Sequence, residues 1–345
     1  MAGVSTLPLA VAVSQAGAVG SFATGAIAST SLVGQHLAEL RAATDKPINV
    51  NLFCHQPAPA DPLGDARWLA YLQPFFAALQ GELPPRLQEV YPSFVANEAL
   101  LAVLLHAPPQ VISFHFGLPT PTQLRALRQT GALLLACVTS PAEARLAERA
   151  GVDVLIAQGV EAGGHRGTFD PAVEPGLSTL ALTRQLVQTG ALPVVAAGGL
   201  MDGADLAAAL RVGAVAGQFG TAFISCPESA ASPAYRAALQ QQPPLATALT
   251  SVISGRPARG IVNKFMQQVD QAGRPAVAAY SRAYMAGKAL VAAAQQVGEP
   301  GFAVQWAGTG LGRSRVLSAA ALVRTLATEL QDALAAGALP SGRHC

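Results

Sequence analysis

Two glycines stand directly before a histidine in Gly163-Gly164-His165, and this segment is the one best suited to chemistry. Glycine lets a loop approach a bound molecule closely. Histidine is the side chain that exchanges a proton near neutral pH. A lone loop histidine would favour a structural hydrogen bond, but this one lies among other polar strand ends. We therefore predict that His165 takes part in acid–base chemistry.

Glycine also dominates two later segments, 196–199 and 217–221. Each follows a predicted strand, where backbone N–H groups and the start of the next helix can hold a phosphate. Ordinary tight turns would explain either segment alone. Together they follow the last two predicted strands, the usual place of phosphate sites in parallel barrels, and this favours phosphate binding.

Single polar residues close three other predicted strands. Asn51 lies near the end of one, His115 ends another, and Gln158 follows a third. His115 stands between two phenylalanines, so contact with a ligand and burial in the core are equally supported. The remaining histidines do not cluster with a carboxylate at metal-ligand spacing, and we expect no metal site.

Two candidate features lie in the C-terminal third. Tyr280, Tyr284 and Lys288 recur every four residues, which predicts one face of a helix. This stripe is either a solvated edge with extended side chains or a cap on the barrel mouth that binds an acidic substrate. The glycine-flanked basic segment 254–260 is interpreted as a surface or domain-packing loop.

The elements that must position these residues alternate along the chain. Helical patterns separate short apolar runs, and glycines at the helix ends indicate repeated right-handed βαβ units. Such runs are typical of parallel strands covered on both faces. The predicted strands are 18–22, 48–53, 111–116, 132–138, 152–157, 193–197 and 214–219.

This alternation predicts an α/β fold of the TIM (β/α)₈ barrel class. Seven strands are one too few, and the chain opens on a loop and a helix, so we expect a first strand upstream of Met1. The alternative is an open, doubly wound sheet, which needs no eighth strand. The expected division is a barrel (1–55 and 110–226), a helical insertion (56–109) and a mostly helical C-terminal region (227–345) that caps the barrel mouth.

Composition excludes several classes of function. The 345 residues carry a formal net charge of +2, and only 12% are charged, so no electrostatic footprint for nucleic acid or an anionic membrane exists. No apolar run reaches 18 residues, and no basic segment precedes an apolar stretch, so neither a membrane span nor a signal peptide is expected. The four scattered cysteines favour a reducing cytoplasm. The sequence leaves open whether the chain forms a homodimer.

The motifs together resemble those of the nitronate monooxygenases, in particular the class that acts on propionate 3-nitronate. The segment 158–167 (QGVEAGGHRG) is the most specific match, and the others, in family order, are 1–6, 50–53, 113–117, 196–203, 218–223, 254–260 and 280–288. The resemblance implies a TIM barrel that binds flavin mononucleotide (FMN), with His165 over the flavin as the active-site base. It further implies FMN contacts at Met1, Asn51, Gln158, Gly163, Gly199, Gln218, Phe219, Gly220 and Thr221, and a substrate pocket lined by His115, Tyr280, Tyr284 and Lys288.

The reaction implied by the resemblance is oxidation of a nitronate, a small-molecule substrate, by O₂ to a carbonyl compound and nitrite, a detoxification. Two related flavin enzymes are alternatives: an enoyl-acyl-carrier-protein reductase with a similar Gly-Gly-His loop, and an NADH:quinone reductase. A truncated barrel without catalytic activity is a third alternative, motivated by the expected missing strand.

Overall fold

The computed structural model describes residues 1–25, 27 and 29–337. His344, Cys345 and the end of the expected C-terminal region lie outside the described residues. Within that part of the chain, seven parallel strands form one sheet, and they lie across it in the order in which they follow one another along the chain. Their bounds are β1 Gly20–Ala23, β2 Ile48–Phe53, β3 Val111–His115, β4 Leu133–Val138, β5 Val154–Gln158, β7 Val194–Ala197 and β8 Ala216–Gln218.

The sheet confirms the seven predicted strands, whose ends differ from the prediction by at most two residues. Its strand order follows the chain, which excludes the doubly wound alternative, because that topology reverses at a switch point. The sheet curls as in a TIM barrel, with helices outside it. The strands β1 and β8 stand at the two ends of the order, and neither pairs with a further parallel strand among the described residues.

Helices follow the strands because their ends are locally encoded. Thr120 and Gln123 form a reciprocal capping box at one start, and Ser140 accepts the N–H of Glu143 at another. Gly151 ends that second helix with φ +83°, a left-handed conformation that suits glycine. The helices are α1 Leu7–Gln15, α2 Thr30–Ala43, α3 Pro62–Ala78, α4 Glu98–His106, α5 Pro121–Arg128, α6 Pro141–Ala150, α7 Thr179–Thr189, α8 Gly203–Arg211, α9 Pro233–Leu239, α10 Lys264–Val269, α11 Arg282–Gln296 and α12 Ala319–Gly337.

Strand register carries the polar strand ends to one edge of the sheet. Asn51 on β2 pairs with Ser113 on β3, and Gln158 on β5 pairs with Ala197 on β7. Ala197 in turn pairs with Gln218 on β8. Because all these strands are parallel, their carboxyl ends meet on one side of the barrel, as the prediction of a common site requires.

A second, antiparallel sheet was not predicted from the sequence. It joins β6 (Gly164–His165), β10 (Ala258–Ile261) and β9 (Thr247–Thr250), with Ala258 paired to His165. The C-terminal region therefore contributes strands as well as helices. Its basic segment runs beside the loop that carries the histidine.

The segment expected as a helical insertion packs in two directions. Helix α4 lies against α2 and α5 in the outer layer of the barrel. Helix α3 instead packs on α11, where Trp68 and Leu72 join a buried apolar cluster with Leu290. The C-terminal helix α12 packs against α8 and α1.

One property of these helices bears on membranes. In the part of the chain that the structure describes, every helix is too short or too polar to cross a bilayer.

Candidate active site

One cleft of about 560 Å³ opens at the carboxyl ends of the parallel strands. Side chains and backbone from the N-terminal segment, the barrel strands, the segment before α11 and α11 itself line it. The structure brings thirteen of the fourteen predicted site residues to this cleft: Met1, Asn51, His115, Gln158, Gly163, His165, Gly199, Gln218, Gly220, Thr221, Tyr280, Tyr284 and Lys288.

Phe219 is the predicted residue that does not line the cleft. Its side chain packs against two apolar clusters, one with Leu200 and Ala209 and one with Met201 and Leu322. Its neighbours Gln218 and Gly220 both line the cleft. The side chain of Phe219 therefore supports the wall from behind.

One end of the cleft has the chemistry of a phosphate site. Gly198 and Gly199 adopt positive φ angles of +114° and +72°. Among the described residues, no protein acceptor receives the backbone N–H groups of Gly198, Gly199, Gly220 or Thr221. Free N–H groups beside glycine, where no side chain blocks approach, suit an anionic oxygen.

A buried arginine, the residue that follows His165, holds the loop in place. Arg166 is fully buried, and its guanidinium pairs with Glu174 at 2.7 Å. It also donates to the side-chain oxygen of Gln158 at 2.8 Å and to the carbonyl of Gly159 at 2.6 Å. Gln158 then donates to the His165 carbonyl at 3.1 Å, so the network fixes the backbone at the histidine.

Aromatic rings surround the imidazole of His165. The rings of Phe116, Tyr280, Tyr284 and Trp306 have centroids 5.3 to 5.8 Å from it. Its Nε2 lies 2.9 Å from the hydroxyl of Ser254. Desolvation lowers the pKa of His165 to about 3, with smaller contributions from His115 and Arg256. The ring is therefore neutral at neutral pH and able to accept a proton.

A buried cation lies behind this aromatic group. Arg256 is 4% exposed and donates to the carbonyls of Thr168 and Phe169 at 3.0 and 3.1 Å. Its guanidinium carbon stands 4.5 Å from the centroid of Phe116. Desolvation lowers the pKa of Arg256 to about 10, so it stays charged at neutral pH. A fixed positive charge next to the cleft favours an anionic substrate.

His115 supports His165 through the backbone. Its Nε2 lies 3.2 Å from the His165 carbonyl, which only accepts, so Nε2 carries the proton. Desolvation lowers the pKa of His115 to about 3, and the ring is neutral. The structure therefore places His115 in the cleft wall, in contact with the loop.

The other end of the cleft combines tyrosines with one lysine. Tyr280 precedes α11, so the prediction that Tyr280, Tyr284 and Lys288 share one helix was wrong for Tyr280. Residues 278–280 are irregular chain that packs directly against Gly255. Gly255 has φ +87°, and a Cβ added there would lie 2.5 Å from the Ala278 carbonyl oxygen. All three predicted side chains still meet at the cleft mouth.

Sequence reasoning missed several cleft residues. Ser254, behind the cleft wall, contacts His165 from 89 positions away, in a segment interpreted as a surface or domain-packing loop. Tyr91 comes from the insertion, and Trp306 and Gly308 from the tail. For the cleft residues from the tail, the one available signal in the sequence was the Gly-Thr-Gly run at 308–310.

The described residues also bear on metals. Within residues 1–25, 27 and 29–337, no three His, Cys, Asp or Glu side chains come together as a metal site would require. The absence of a metal stays a prediction for the whole chain.

A comparison with protein families decides the relationship of this chain to known proteins. The family model described as nitronate monooxygenase matches residues 1–329. The chain belongs to the nitronate monooxygenase family. It is therefore an oxidoreductase, and enzymes of this family use a flavin.

Individual relatives agree with the family assignment. The chain is 50% identical to a nitronate monooxygenase of Pseudomonas aeruginosa, covering 96% of this chain and 94% of that one. It is 47% identical to a nitronate monooxygenase of Paraburkholderia phytofirmans, covering 97% and 91%. Family membership does not favour the reductase and inactive-barrel alternatives.

Solved structures give the same relationship. A nitroalkane oxidase from Streptomyces ansochromogenes superposes with a TM-score of 0.87 at 38% identity, covering 97% of this chain and 94% of that chain. FabK from Thermotoga maritima is more distant, with a TM-score of 0.72 at 26% identity over 97% and 92%. A TIM-like fold is thus common to this chain and these two solved structures.

Proposed function

We propose that the protein uses FMN and O₂ to oxidise alkyl nitronates, propionate 3-nitronate among them, to a carbonyl compound and nitrite. The observation that carries this proposal is the shared cleft. A neutral imidazole and a glycine-lined site with free N–H groups face the same space. Membership of the nitronate monooxygenase family supports the choice of substrate class.

The residues present fit a flavin mononucleotide. Gly198, Gly199, Gly220 and Thr221 would receive the phosphate through their unused N–H groups. The side chain of Asn51 donates to Ser113 at 2.8 Å, which leaves its oxygen for a ligand. The Gln158 oxygen already accepts from Arg166 and Gly167, so only its second N–H remains for a ligand. When bound, FMN supplies the electron transfer to O₂.

The chain's own residues bind and orient the substrate. His165, neutral in the cleft, would accept the α-proton of a nitroalkane or hydrogen-bond the nitronate oxygens. Lys288 would attract a carboxylate on the substrate as a point charge. The surrounding aromatic rings exclude water from the reacting centre.

Nitrite release under air is the direct test of this proposal. We expect the FMN-loaded protein to release nitrite from propionate 3-nitronate and to consume O₂ as it does so. A reductase of the same fold would instead consume NAD(P)H with an enoyl thioester or a quinone and release no nitrite. A colourless protein that retains no flavin would contradict the proposal, as would flavin-loaded protein that releases no nitrite.

Gly199→Ala is expected to weaken FMN binding by about tenfold. An alanine at φ +72° costs roughly 1–2 kcal/mol, and its Cβ would lie 3.0 Å from that of Glu161 beside the phosphate site. The dissociation constant, measured by flavin fluorescence quenching, checks this. Gly131→Ala is the matched control, since Gly131 has φ +80° with no atom within 4 Å of an added Cβ and lies outside the cleft. Equal FMN affinity in both variants would contradict the phosphate assignment.

The cellular setting follows from the same proposal. Cys54, Cys137 and Cys226 are buried free thiols, which is consistent with a reducing cytoplasm. There the reaction would remove reactive nitronates, a detoxification.

A further inference from the structure

Residues 82–92, which we call the strap, connect helix α3 to the wall of the cleft. The strap follows α3 and leads to the 3₁₀ turn Phe94–Ala96. Leu87, 8% exposed, anchors it in the apolar cluster that α3 and α11 share. Tyr91, near its end, lines the cleft.

One buried hydroxyl holds the strap at Tyr91. Ser281 is fully buried, and its oxygen accepts the N–H groups of Val90 and Tyr91, both at 3.0 Å. The same hydroxyl donates to the Tyr91 carbonyl at 3.4 Å. Ser281 is also the residue that precedes α11, yet it makes no side-chain cap to that helix. Its hydrogen bonds are therefore directed to the strap rather than to the helix.

The ring of Tyr91 in turn holds the lysine of the mouth. The Lys288 ammonium lies 4.5 Å from the ring centroid of Tyr91 and 5.2 Å from that of Tyr284. Among the described residues no carboxylate lies within salt-bridge distance of Lys288. Aromatic faces thus fix a cation whose charge is left for a ligand.

We propose that Ser281 is a positioning residue that sets the preference for carboxylate-bearing nitronates. It acts through Tyr91, which places the Lys288 ammonium at the mouth before the substrate arrives. The inference rests on the proposed function, because it assigns the carboxylate of that substrate to Lys288. Ser281 itself touches neither substrate nor cofactor.

The expected size of the effect follows from side-chain ordering. Immobilising one long, flexible side chain on binding weakens affinity by about two- to tenfold. Ser281→Ala removes the hydrogen bonds that hold Tyr91, so Lys288 becomes mobile in the free enzyme. Binding of the substrate carboxylate must then immobilise the lysine. We expect KM for propionate 3-nitronate to rise about two- to tenfold. For propyl-1-nitronate, which lacks the carboxylate, KM should stay within about twofold, and kcat should change little for either substrate.

Ser178→Ala is the matched control for loss of a hydroxyl that accepts a backbone N–H. Ser178 caps α7 by accepting the N–H of Ala181 at 3.3 Å and lies outside the cleft. The ratio of the two KM values should be unchanged in this variant. Should Ser281→Ala not fold, Ser281→Cys takes its place, because a thiol is a weaker acceptor of similar size.

A double-mutant cycle tests the route of the effect. If Ser281 acts through Tyr91, Ser281→Ala should change the KM ratio little when Tyr91 is already leucine. An unchanged ratio in Ser281→Ala, or equal effects with and without Tyr91, would overturn the inference. Absence of nitrite from the wild-type protein would instead overturn the proposed function, so the two failures are distinguishable.

Discussion

Replacing His165 with alanine is expected to slow oxidation of a neutral nitroalkane by about 10²- to 10⁴-fold, the usual contribution of a general base. The substrate's α-proton must leave before the nitronate exists, and His165 is the neutral acceptor that the aromatic rings enclose. A preformed nitronate has already lost that proton. Its turnover should therefore fall less, by about tenfold, for the loss of one hydrogen bond to an anion. Steady-state nitrite assays with both substrates measure the difference.

The controls separate chemistry from folding. His106→Ala removes an exposed histidine at the end of α4, outside the cleft, and should leave both rates unchanged. The flavin content of His165→Ala should match that of the wild type, because the free N–H groups lie at the other end of the site. Unchanged nitronate turnover in His165→Ala would contradict the placement of this ring at the reacting centre.

The pH dependence of the wild-type rate tests the same role of His165 as the base. Since the pKa of His165 is lowered to about 3, the ring is unprotonated between about pH 5 and pH 9 and can accept a proton throughout. The rate with a neutral nitroalkane should fall only as pH drops towards that pKa. A fall centred near pH 6.5, the value of an unperturbed histidine, would show that the ring is solvated instead.

The barrel could be predicted because its signal is local. Strands such as Leu133–Val138 are apolar on both faces, and the cap hydroxyl followed by proline at Thr120-Pro121 marks where a helix begins. Because consecutive strands of the barrel are parallel neighbours, the ends that carry Asn51 and Gln158 lie on the same edge of the sheet. The cleft residues drawn from strand ends could be predicted for this reason.

The rest of the site depends on packing between distant segments. Arg256 was assigned to a surface or domain-packing loop, and charged residues are rarely buried without partners. Its partners are the backbone carbonyls of Thr168 and Phe169. Every residue has such a carbonyl, so the sequence does not identify them as partners. Tyr91 reaches the cleft because Ser281 holds the strap, and the two residues are 190 positions apart. Periodicity cannot reveal contacts of this kind.

The second large effect is on stability. Arg166→Met is expected to lower the free energy of unfolding by about 3–5 kcal/mol, the range for breaking a buried ion pair by removing one partner. The guanidinium is fully buried and serves Glu174, Gln158 and Gly159 together. Methionine matches its length but donates no hydrogen bond, so Glu174, only 24% exposed, keeps an uncompensated charge. Urea unfolding of the holoenzyme measures the loss.

Two comparison variants show whether burial is the cause. Arg128→Met breaks an exposed ion pair with Asp153, where the arginine side chain is 54% exposed, and should cost at most about 1 kcal/mol. Glu174→Gln removes the charge but keeps an acceptor for Arg166, so its cost should lie between those of the two arginine variants. A similar small loss in Arg166→Met and Arg128→Met would contradict the buried-pair account.

The arginine network also links stability to catalysis. Arg166 orients the amide of Gln158, and that amide holds the carbonyl of His165. Loosening the network moves the backbone that carries the imidazole, and a misplacement of about 1 Å can cost about 10²-fold in rate. Folded Arg166→Met, kept below its unfolding transition, should therefore lose nitronate turnover although Arg166 lines no part of the cleft. Full turnover in that folded variant would mean that the loop is held by its glycines and its pairing to β10 alone.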